Sequence, residues 1–288
     1  MIPLKDNIPT RRFPVLTVAL IAICVLVYFG VQHGGITKGP SDSSVVKYGL
    51  IPYELTHPGK ECQDVSKLKD PATGDPVIVG DASTNQQVSV ACQGLSYKEE
   101  DTVTLRTRPF TPHPGPQPST WLTMITSIFM HGGLLHIAGN MLFLWVFGNN
   151  IEDSMARWKF LIFYLLGGIV ANFAQVAVDP NSTAPGIGAS GAIAAVLGGY
   201  ALLYPRARVV TAVILIFFIT LLDLPALVVL GGWFLLQLLD VAINSPLNGG
   251  GVAYFAHIGG FLFGLVVIKL FADRVNKDYD QVNRLPAY

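Results

Sequence analysis

Residues 253–272 read AYFAHIGGFLFGLVVIKLFA. The only basic side chains in this run are His257 near its start and Lys269 near its end. Because about 20 apolar residues in a helix span the hydrocarbon core of a bilayer, the run predicts a transmembrane helix. An ionisable side chain a few residues below a membrane surface is costly there, which makes His257 a candidate functional residue.

The whole chain has the composition of a membrane protein. Of its 288 residues, 51% are hydrophobic and 13% are charged, and the mean hydropathy is +0.48. A soluble domain carries about 25% charged residues. The formal net charge is zero, which gives no indication of a nucleic-acid partner. The three cysteines fit no metal-ligand spacing, so we predict neither a metal nor a cofactor.

Six apolar runs are candidate membrane spans. They cover roughly residues 15–32, 133–150, 159–178, 188–204, 223–243 and 253–272. These runs predict an all-α fold, a polytopic bundle of six transmembrane helices, with a large extramembrane insertion between the first and the second. Residues 207–222 are also apolar but rich in β-branched and aromatic residues. We interpret them as a partly inserted connector, with a seventh span as the alternative.

Basic residues at the ends of the spans predict the orientation, because positive charge accumulates on the inner side. A six-span arrangement places every basic cluster on one side; these are Arg11 and Arg12, Arg157 and Lys159, Arg206 and Arg208, and Arg274 and Lys277. We therefore predict a multi-pass integral protein of a bacterial plasma (inner) membrane, with a cytoplasmic N-terminus. A secretory signal is the alternative for the first run, which is longer than the apolar h-region of a usual signal peptide.

Ser190 and His257 are predicted to lie at the same depth. Each comes a few residues into a span that starts on the outer side, so both lie just below the outer surface. A nucleophile needs its base within hydrogen-bond reach. Small residues next to both favour the close helix contact that would bring them together. The alternative is a helix-packing seam that contains an incidental serine and histidine.

A third polar cluster lies at the outer end of the second span. His136 and Asn140 are four residues apart and share a helix face. His131 precedes them in what we predict to be the entry loop. Polar side chains here can donate hydrogen bonds to an oxyanion, and we favour that role for Asn140. For His131 we favour a structural role in the loop.

Three motifs resemble those of the rhomboid family of intramembrane proteases. Gly188-Ala-Ser190-Gly191 resembles the family's GxSG, residues 256–264 resemble AHxxGxxxG, and residues 131–140 resemble HxxxxHxxxN. The similarity covers roughly residues 120–272 and the first span. The GxSG motif alone is weak evidence for this family, since lipases contain similar sequences. Three motifs in this order on apolar spans are highly specific.

The resemblance implies a serine-type endopeptidase (rhomboid protease) with a Ser190–His257 dyad and no acidic third member. It implies an oxyanion site of Asn140, His136 and the Ser190 backbone N–H. His131 and Gly188 are our candidates for auxiliary residues. Its substrates would be single-span or polytopic membrane proteins in the lipid bilayer, cut near the outer membrane face. The alternative is a catalytically weak rhomboid-like pseudoprotease that binds transmembrane clients. A transporter is disfavoured because polar residues are few in the spans.

The predicted domain organisation follows from these assignments. It comprises a cytoplasmic N-terminus (1–14), a first transmembrane helix (15–32), an outer insertion (33–119), the rhomboid catalytic core (120–272) and a cytoplasmic tail (273–288). Glu152 matches a family glutamate that ties down the inner loop. Two features depart from the family. The Trp-Arg pair of its first loop is absent, and Ala194 replaces an aromatic residue that stacks on the base in some members.

Cys62 and Cys92 are the two cysteines outside the predicted spans. The predicted orientation places them in an oxidising compartment, where disulfides form and persist. Their segment is poor in apolar residues, and closing a loop of this length would stabilise it by roughly 3–4 kcal/mol. We predict a Cys62–Cys92 disulfide, with two free thiols as the alternative.

Overall fold

The computed structural model describes residues 2–69, 74, 76–84, 86–101, 107–215, 218–243 and 253–275. The helices in these residues are α1 (Val15–Leu26), α2 (Asp42–Tyr48), α3 (Pro52–Thr56), α4 (Thr120–Thr126), α5 (Leu134–Phe143), α6 (Asn149–Asp153), α7 (Arg157–Val178), α8 (Ser190–Leu203), α9 (Ala226–Ile243) and α10 (Tyr254–Phe271). The strands are β1 (Ile2–Asp6), β2 (Cys62–Asp64), β3 (Val77–Asp81), β4 (Val90–Cys92), β5 (Tyr97–Asp101), β6 (Thr107–Phe110), β7 (Arg208–Leu215) and β8 (Phe218–Pro225).

Among the residues that the structure describes, three helices are long and apolar enough to cross a membrane. They are Leu134–Asp153, in which a π-helical turn joins α5 to α6, together with α7 and α10. Shorter apolar helices occur at Val15–Val31, Thr120–Phe129, Ser190–Leu203 and Ala226–Leu239. All six predicted runs therefore contain apolar helix, three of these helices reach spanning length within the described residues, and the six-span count stays a prediction. Side chains such as Val266 and Leu270 are 74% and 81% exposed, which suits contact with lipid.

The centre of the bundle is the contact between α8 and α10, which also pack against α7. Glycines make this contact possible. A Cβ atom at Gly260 would collide with the carbonyl oxygen of Gly191, and one at Gly264 would collide with that of Ala195. The two backbones thus touch directly, as small residues permit in membrane helices.

Acidic residues at the end of α6 anchor the end of the bundle at which α1 begins. Glu152 accepts hydrogen bonds from the backbone N–H groups of Leu16 and Thr17 at 3.1 and 2.8 Å, at the start of α1. Those N–H groups have no partner within the helix, so the carboxylate caps it. Asp153 forms ion pairs with Arg12 at 3.2 Å and with Arg274 at 2.7 Å. The family resemblance gave Glu152 a structural role, and in the structure it fixes the start of α1.

The prediction of an all-α fold is wrong for residues 207–222. Strands β7 and β8 form an antiparallel hairpin with Arg208 opposite Pro225, and β1 pairs with the other edge of β7. The physical reason is the β-branched and aromatic composition of the run, which favours strand over helix. The described part of this segment is therefore a β-hairpin that connects α8 to α9 and not the seventh helix that was the alternative, while its partial insertion stays a prediction.

The outer insertion also contains strands, which the all-α prediction did not include. Strand β2 pairs with β4, and β3, β5 and β6 form a second small sheet. Cys62 lies opposite Cys92 in the first pair, and a disulfide joins them. Buried side chains around the disulfide form a small core of their own, which contains Val46, Ile51, Tyr53, Cys62, Val90 and Cys92.

The first part of the insertion docks on the loop that precedes α8. Leu50 and Gly186 exchange two backbone hydrogen bonds, at 3.0 and 2.7 Å. The Tyr53 N–H donates to the carbonyl oxygen of Ser182 at 3.0 Å, and the Thr56 hydroxyl donates to that of Pro180 at 2.6 Å. The insertion therefore supports one side of this loop.

Close packing of α8 and α10 predicts that Gly264→Ala will be destabilising. Alanine favours a helix by about 1 kcal/mol over glycine. At this position, however, the new methyl group must push the two helices apart, which costs roughly 1–3 kcal/mol. We expect a lower thermal midpoint for the purified variant.

Gly231→Ala in α9 is the matched control, since a Cβ atom there meets nothing within 4 Å. Its midpoint should be unchanged or higher. Equal midpoints for the two variants would contradict the packing argument.

The insertion should lose stability as the pH rises, because of Glu54. This carboxyl group is 6% exposed, and burial raises its pKa from 4.5 to about 7, although it accepts a hydrogen bond from the Cys62 N–H at 2.8 Å. Since the pKa is higher in the folded state, the stabilisation is fully present below pH 4.5 and is lost as the pH rises through about 7. The loss should be on the order of 1–3 kcal/mol.

Hydrogen exchange of residues 50–66 in the wild type and in Glu54→Gln tests this expectation. The variant keeps an acceptor but does not titrate. Protection should be similar at low pH and lower in the wild type above neutral pH. If the protection of residues 50–66 differed between the two proteins by the same amount at all pH values, the prediction would be contradicted.

Candidate active site

Ser190 is the first residue of α8 and follows a turn at Gly188. Gly188 has a φ of +138°, a conformation that other residues rarely adopt. A Cβ atom at this position would lie 3.1 Å from the His136 ring and 3.4 Å from Ser190 Oγ. The Gly188 N–H donates to the Ser127 carbonyl oxygen at 2.9 Å, which fixes the turn. Glycine at position 188 thus allows the chain to pass between two polar side chains.

His257 lies in the first turn of α10, and its ring reaches Ser190. Its Nε2 atom is 2.7 Å from Ser190 Oγ, within the range of a strong hydrogen bond. Its Nδ1 atom is 2.7 Å from Gln237 Oε1 on α9, and the Trp233 ring lies 5.7 Å from its own. Residues 67 positions apart are thus joined by the close contact of α8 and α10.

His136 and Asn140 face the same site from α5. The Gly132 N–H donates to His136 Nδ1 at 3.2 Å. Because this nitrogen accepts, the proton of a neutral His136 is on Nε2. Asn140 is buried, and among the described residues its Nδ2 group has no hydrogen-bond partner. Two donors are therefore available beside Ser190.

A cavity of about 360 Å³ connects these side chains. Its wall includes His136, Asn140, Ser190, His257 and Trp233, together with apolar residues such as Leu135 and Phe143. Ser190 also lines a second cavity, of about 140 Å³, whose wall includes Leu50 of the insertion, Asn172 of α7 and Ala256 of α10. Ser190 thus contributes to the walls of two cavities.

His131 does not line either cavity. It is completely buried, and its ring packs edge-on against the His136 ring at 5.3 Å. The Gln32 side chain donates to its carbonyl oxygen at 2.9 Å and accepts from its N–H at 2.8 Å. Among the described residues neither ring nitrogen has a hydrogen-bond partner. This position behind His136 agrees with the structural role favoured above.

Gln237 contacts His257 in the site, and sequence reasoning did not predict this contact. The available signal was a glutamine on an apolar helix, 20 residues before the histidine. Ala194, which replaces the family's stacking aromatic, is fully buried, and its Cβ lies 3.2 Å from where a Cβ at Gly260 would be. Trp233 and Gln237 instead contact the His257 ring.

The profile of the Rhomboid domain matches residues 118–274, more than half of the sequence. The chain belongs to the rhomboid family. The matched segment contains α4 to α10 and all the side chains of the site.

Individual rhomboid proteins are also similar to it. Presenilin-associated rhomboid-like protein, mitochondrial, from Homo sapiens is 30% identical over 145 residues, which are 49% of this chain and 36% of that protein. Rhomboid protein 1, mitochondrial, from Saccharomyces cerevisiae is 30% identical over 155 residues, 50% of this chain and 40% of that protein. Rhomboid protease GluP from Bacillus subtilis is 40% identical over 84 residues, 29% of this chain and 16% of that protein.

The aligned segments cover less than half of the length of these relatives. Two of the three relatives are mitochondrial, which does not fit the bacterial plasma membrane that we predicted. Family membership supports the broader statement that this rhomboid is a membrane protein.

Proposed function

We propose that this rhomboid is an intramembrane serine endopeptidase with Ser190 as nucleophile and His257 as general base. The observation that carries the proposal is the 2.7 Å contact between Ser190 Oγ and His257 Nε2 in the wall of a cavity. A base within hydrogen-bond reach is what activates a serine hydroxyl.

The proposed reaction begins with proton transfer from Ser190 Oγ to His257 Nε2 as Oγ attacks the scissile carbonyl carbon. The C=O electron pair moves to oxygen and forms a tetrahedral oxyanion. When this intermediate collapses, the C–N bond breaks and the imidazolium gives its proton to the leaving amine. Water then hydrolyses the acyl-enzyme by the same two steps, with His257 again acting as base.

Three donors next to Ser190 suit the oxyanion. His136 carries its proton on Nε2, and Asn140 Nδ2 has no other partner among the described residues. The Ser190 N–H is at the first position of α8, where N–H groups lack partners within the helix. Fixed donors of this kind are usually the largest single contribution to acyl-transfer catalysis.

The position of the site supports a membrane-embedded substrate. Ser190, His257 and His136 each lie in the first turn of an apolar helix, so they share one end of the bundle. The Cys62–Cys92 disulfide belongs to the insertion that docks at this end, and disulfides persist in oxidising compartments. We therefore propose that the site lies near the outer membrane face and cuts single-span or polytopic membrane proteins there.

A peptide bond in a regular helix is hidden by its own hydrogen bonds, so the substrate must unwind locally. Small residues at the cut would fit beside Ser190, and Gly or Pro nearby would lower the cost of unwinding. Mapping the cut sites in a panel of single-span proteins tests this topology. Cuts near the middle of the bilayer or at its inner face would contradict it.

Ser190→Ala and His257→Ala should each abolish cleavage and leave the protein folded. The two losses should not add in the double variant, because the dyad acts as a unit. Cleavage of the substrate panel and labelling by a fluorophosphonate probe measure the effect. Ser43→Ala and His113→Ala change exposed residues of the insertion and are the matched controls.

Substantial activity in either dyad variant would refute the assignment. A wild-type protein that binds transmembrane clients, cuts none of them and does not react with the probe would instead be the pseudoprotease alternative.

Asn140→Ala should lower turnover by roughly 10²–10³, the usual effect of removing one oxyanion donor. KM should change little, because the interaction forms only in the transition state. Steady-state kinetics with one cleaved substrate measure both, and Asn181→Ala in an exposed loop is the control. An unchanged kcat would return Asn140 to a structural role.

A further inference from the structure

Gln237 is a buried polar side chain on an otherwise apolar helix. It is 9% exposed, whereas its neighbours Leu236 and Leu238 are 55% and 41% exposed. Burying an amide costs free energy unless it is hydrogen-bonded. Its contacts therefore indicate why a glutamine stands at this position.

Both ends of the Gln237 amide have a partner. Nε2 faces the Trp233 carbonyl oxygen at 3.4 Å, one turn earlier in α9, and Oε1 faces His257 Nδ1 at 2.7 Å. A carbonyl oxygen only accepts, so the end of the amide that faces it must be the NH₂ group. The opposite orientation would place two acceptor oxygens against each other. The contact with the Trp233 carbonyl oxygen therefore favours this orientation of the amide.

This orientation determines which nitrogen of His257 carries the proton. Gln237 Oε1 can only accept, so Nδ1 must donate. A neutral imidazole with its proton on Nδ1 presents a lone pair at Nε2. Nε2 faces Ser190 Oγ at 2.7 Å. The hydrogen-bond chain thus runs from the serine hydroxyl through the imidazole to the glutamine.

We propose that Gln237 is a positioning residue that holds His257 in the base-competent tautomer and aims its Nε2 at Ser190. The site would then be a Ser–His–Gln arrangement rather than an unsupported dyad. In Ser-His-Asp enzymes a carboxylate has this task. A charged side chain within an apolar bundle is costly, and a neutral amide gives the same orientation without that cost.

The proposal rests on the proposed function, but its physical core does not require catalysis. The tautomer of His257 can be read by NMR in protein labelled with ¹⁵N in the histidine rings, because protonated and unprotonated ring nitrogens resonate far apart. The His257 signals are those that disappear in His257→Ala. In the wild type Nδ1 should be protonated and Nε2 should not.

Three variants give the test. Gln237→Met has a similar length and no oxygen, so the His257 signals should shift toward a mixture of tautomers. kcat should fall by roughly 10- to 100-fold with little change in KM, less than the loss of about 10⁴ when the wrong tautomer is imposed in a serine protease. Gln237→Glu keeps an acceptor oxygen and should restore kcat to within about tenfold of the wild type. Leu238→Met, on the exposed side of α9, should change neither measurement.

The results distinguish failure of the positioning role of Gln237 from failure of the protease proposal. A Gln237→Met protein with the wild-type tautomer, or with unchanged kcat, would overturn the positioning role. A wild-type protein with the expected tautomer but no reactivity at Ser190 would refute the protease proposal and leave the positioning of His257 supported.

Discussion

The direct contact of the α8 and α10 backbones is the constraint on which the candidate site depends. A hydroxyl and an imidazole on two helices reach each other only when the helix axes are unusually close. Gly260 and Gly264 provide this approach, because a Cβ atom at either position would collide with a carbonyl oxygen of α8. The same contact that stabilises the bundle therefore sets the 2.7 Å distance between Ser190 and His257.

Neutral polar side chains and ion pairs lie in different parts of the bundle. The side chains that surround Ser190 in the cavity, such as His136, Asn140 and Trp233, are neutral or can be neutral. The ion pairs of Asp153 lie instead at the end of α6, with Arg12 and Arg274. This division follows the cost of ionised side chains in an apolar environment. It also explains why the partner of His257 is an amide.

Much of this arrangement could be predicted from the sequence, because it depends on local patterns. Spans of about 20 apolar residues, matched depths and short motifs led to Ser190, His257, His136 and Asn140, which the structure brings to one cavity. The hairpin of β7 and β8 was missed because the hydrophobic periodicity of a short apolar run does not separate a strand from a buried helix, although the β-branched composition of this run favours a strand. Gln237 was missed because its contact with His257 depends on how α9 packs, and no local pattern encodes that packing.

The backbone pairing of Leu50 with Gly186 ties the first part of the insertion to the loop that precedes α8. Residues near Leu50 hold the loop that leads to Ser190, so their backbone positions are fixed by the site. The strands β3, β5 and β6 follow later in the chain and form a separate small sheet. The contacts with the loop come from residues 50–56, and the disulfide-linked core packs on the same residues. A change in the second sheet therefore reaches Ser190 through this short segment rather than by direct contact with α8.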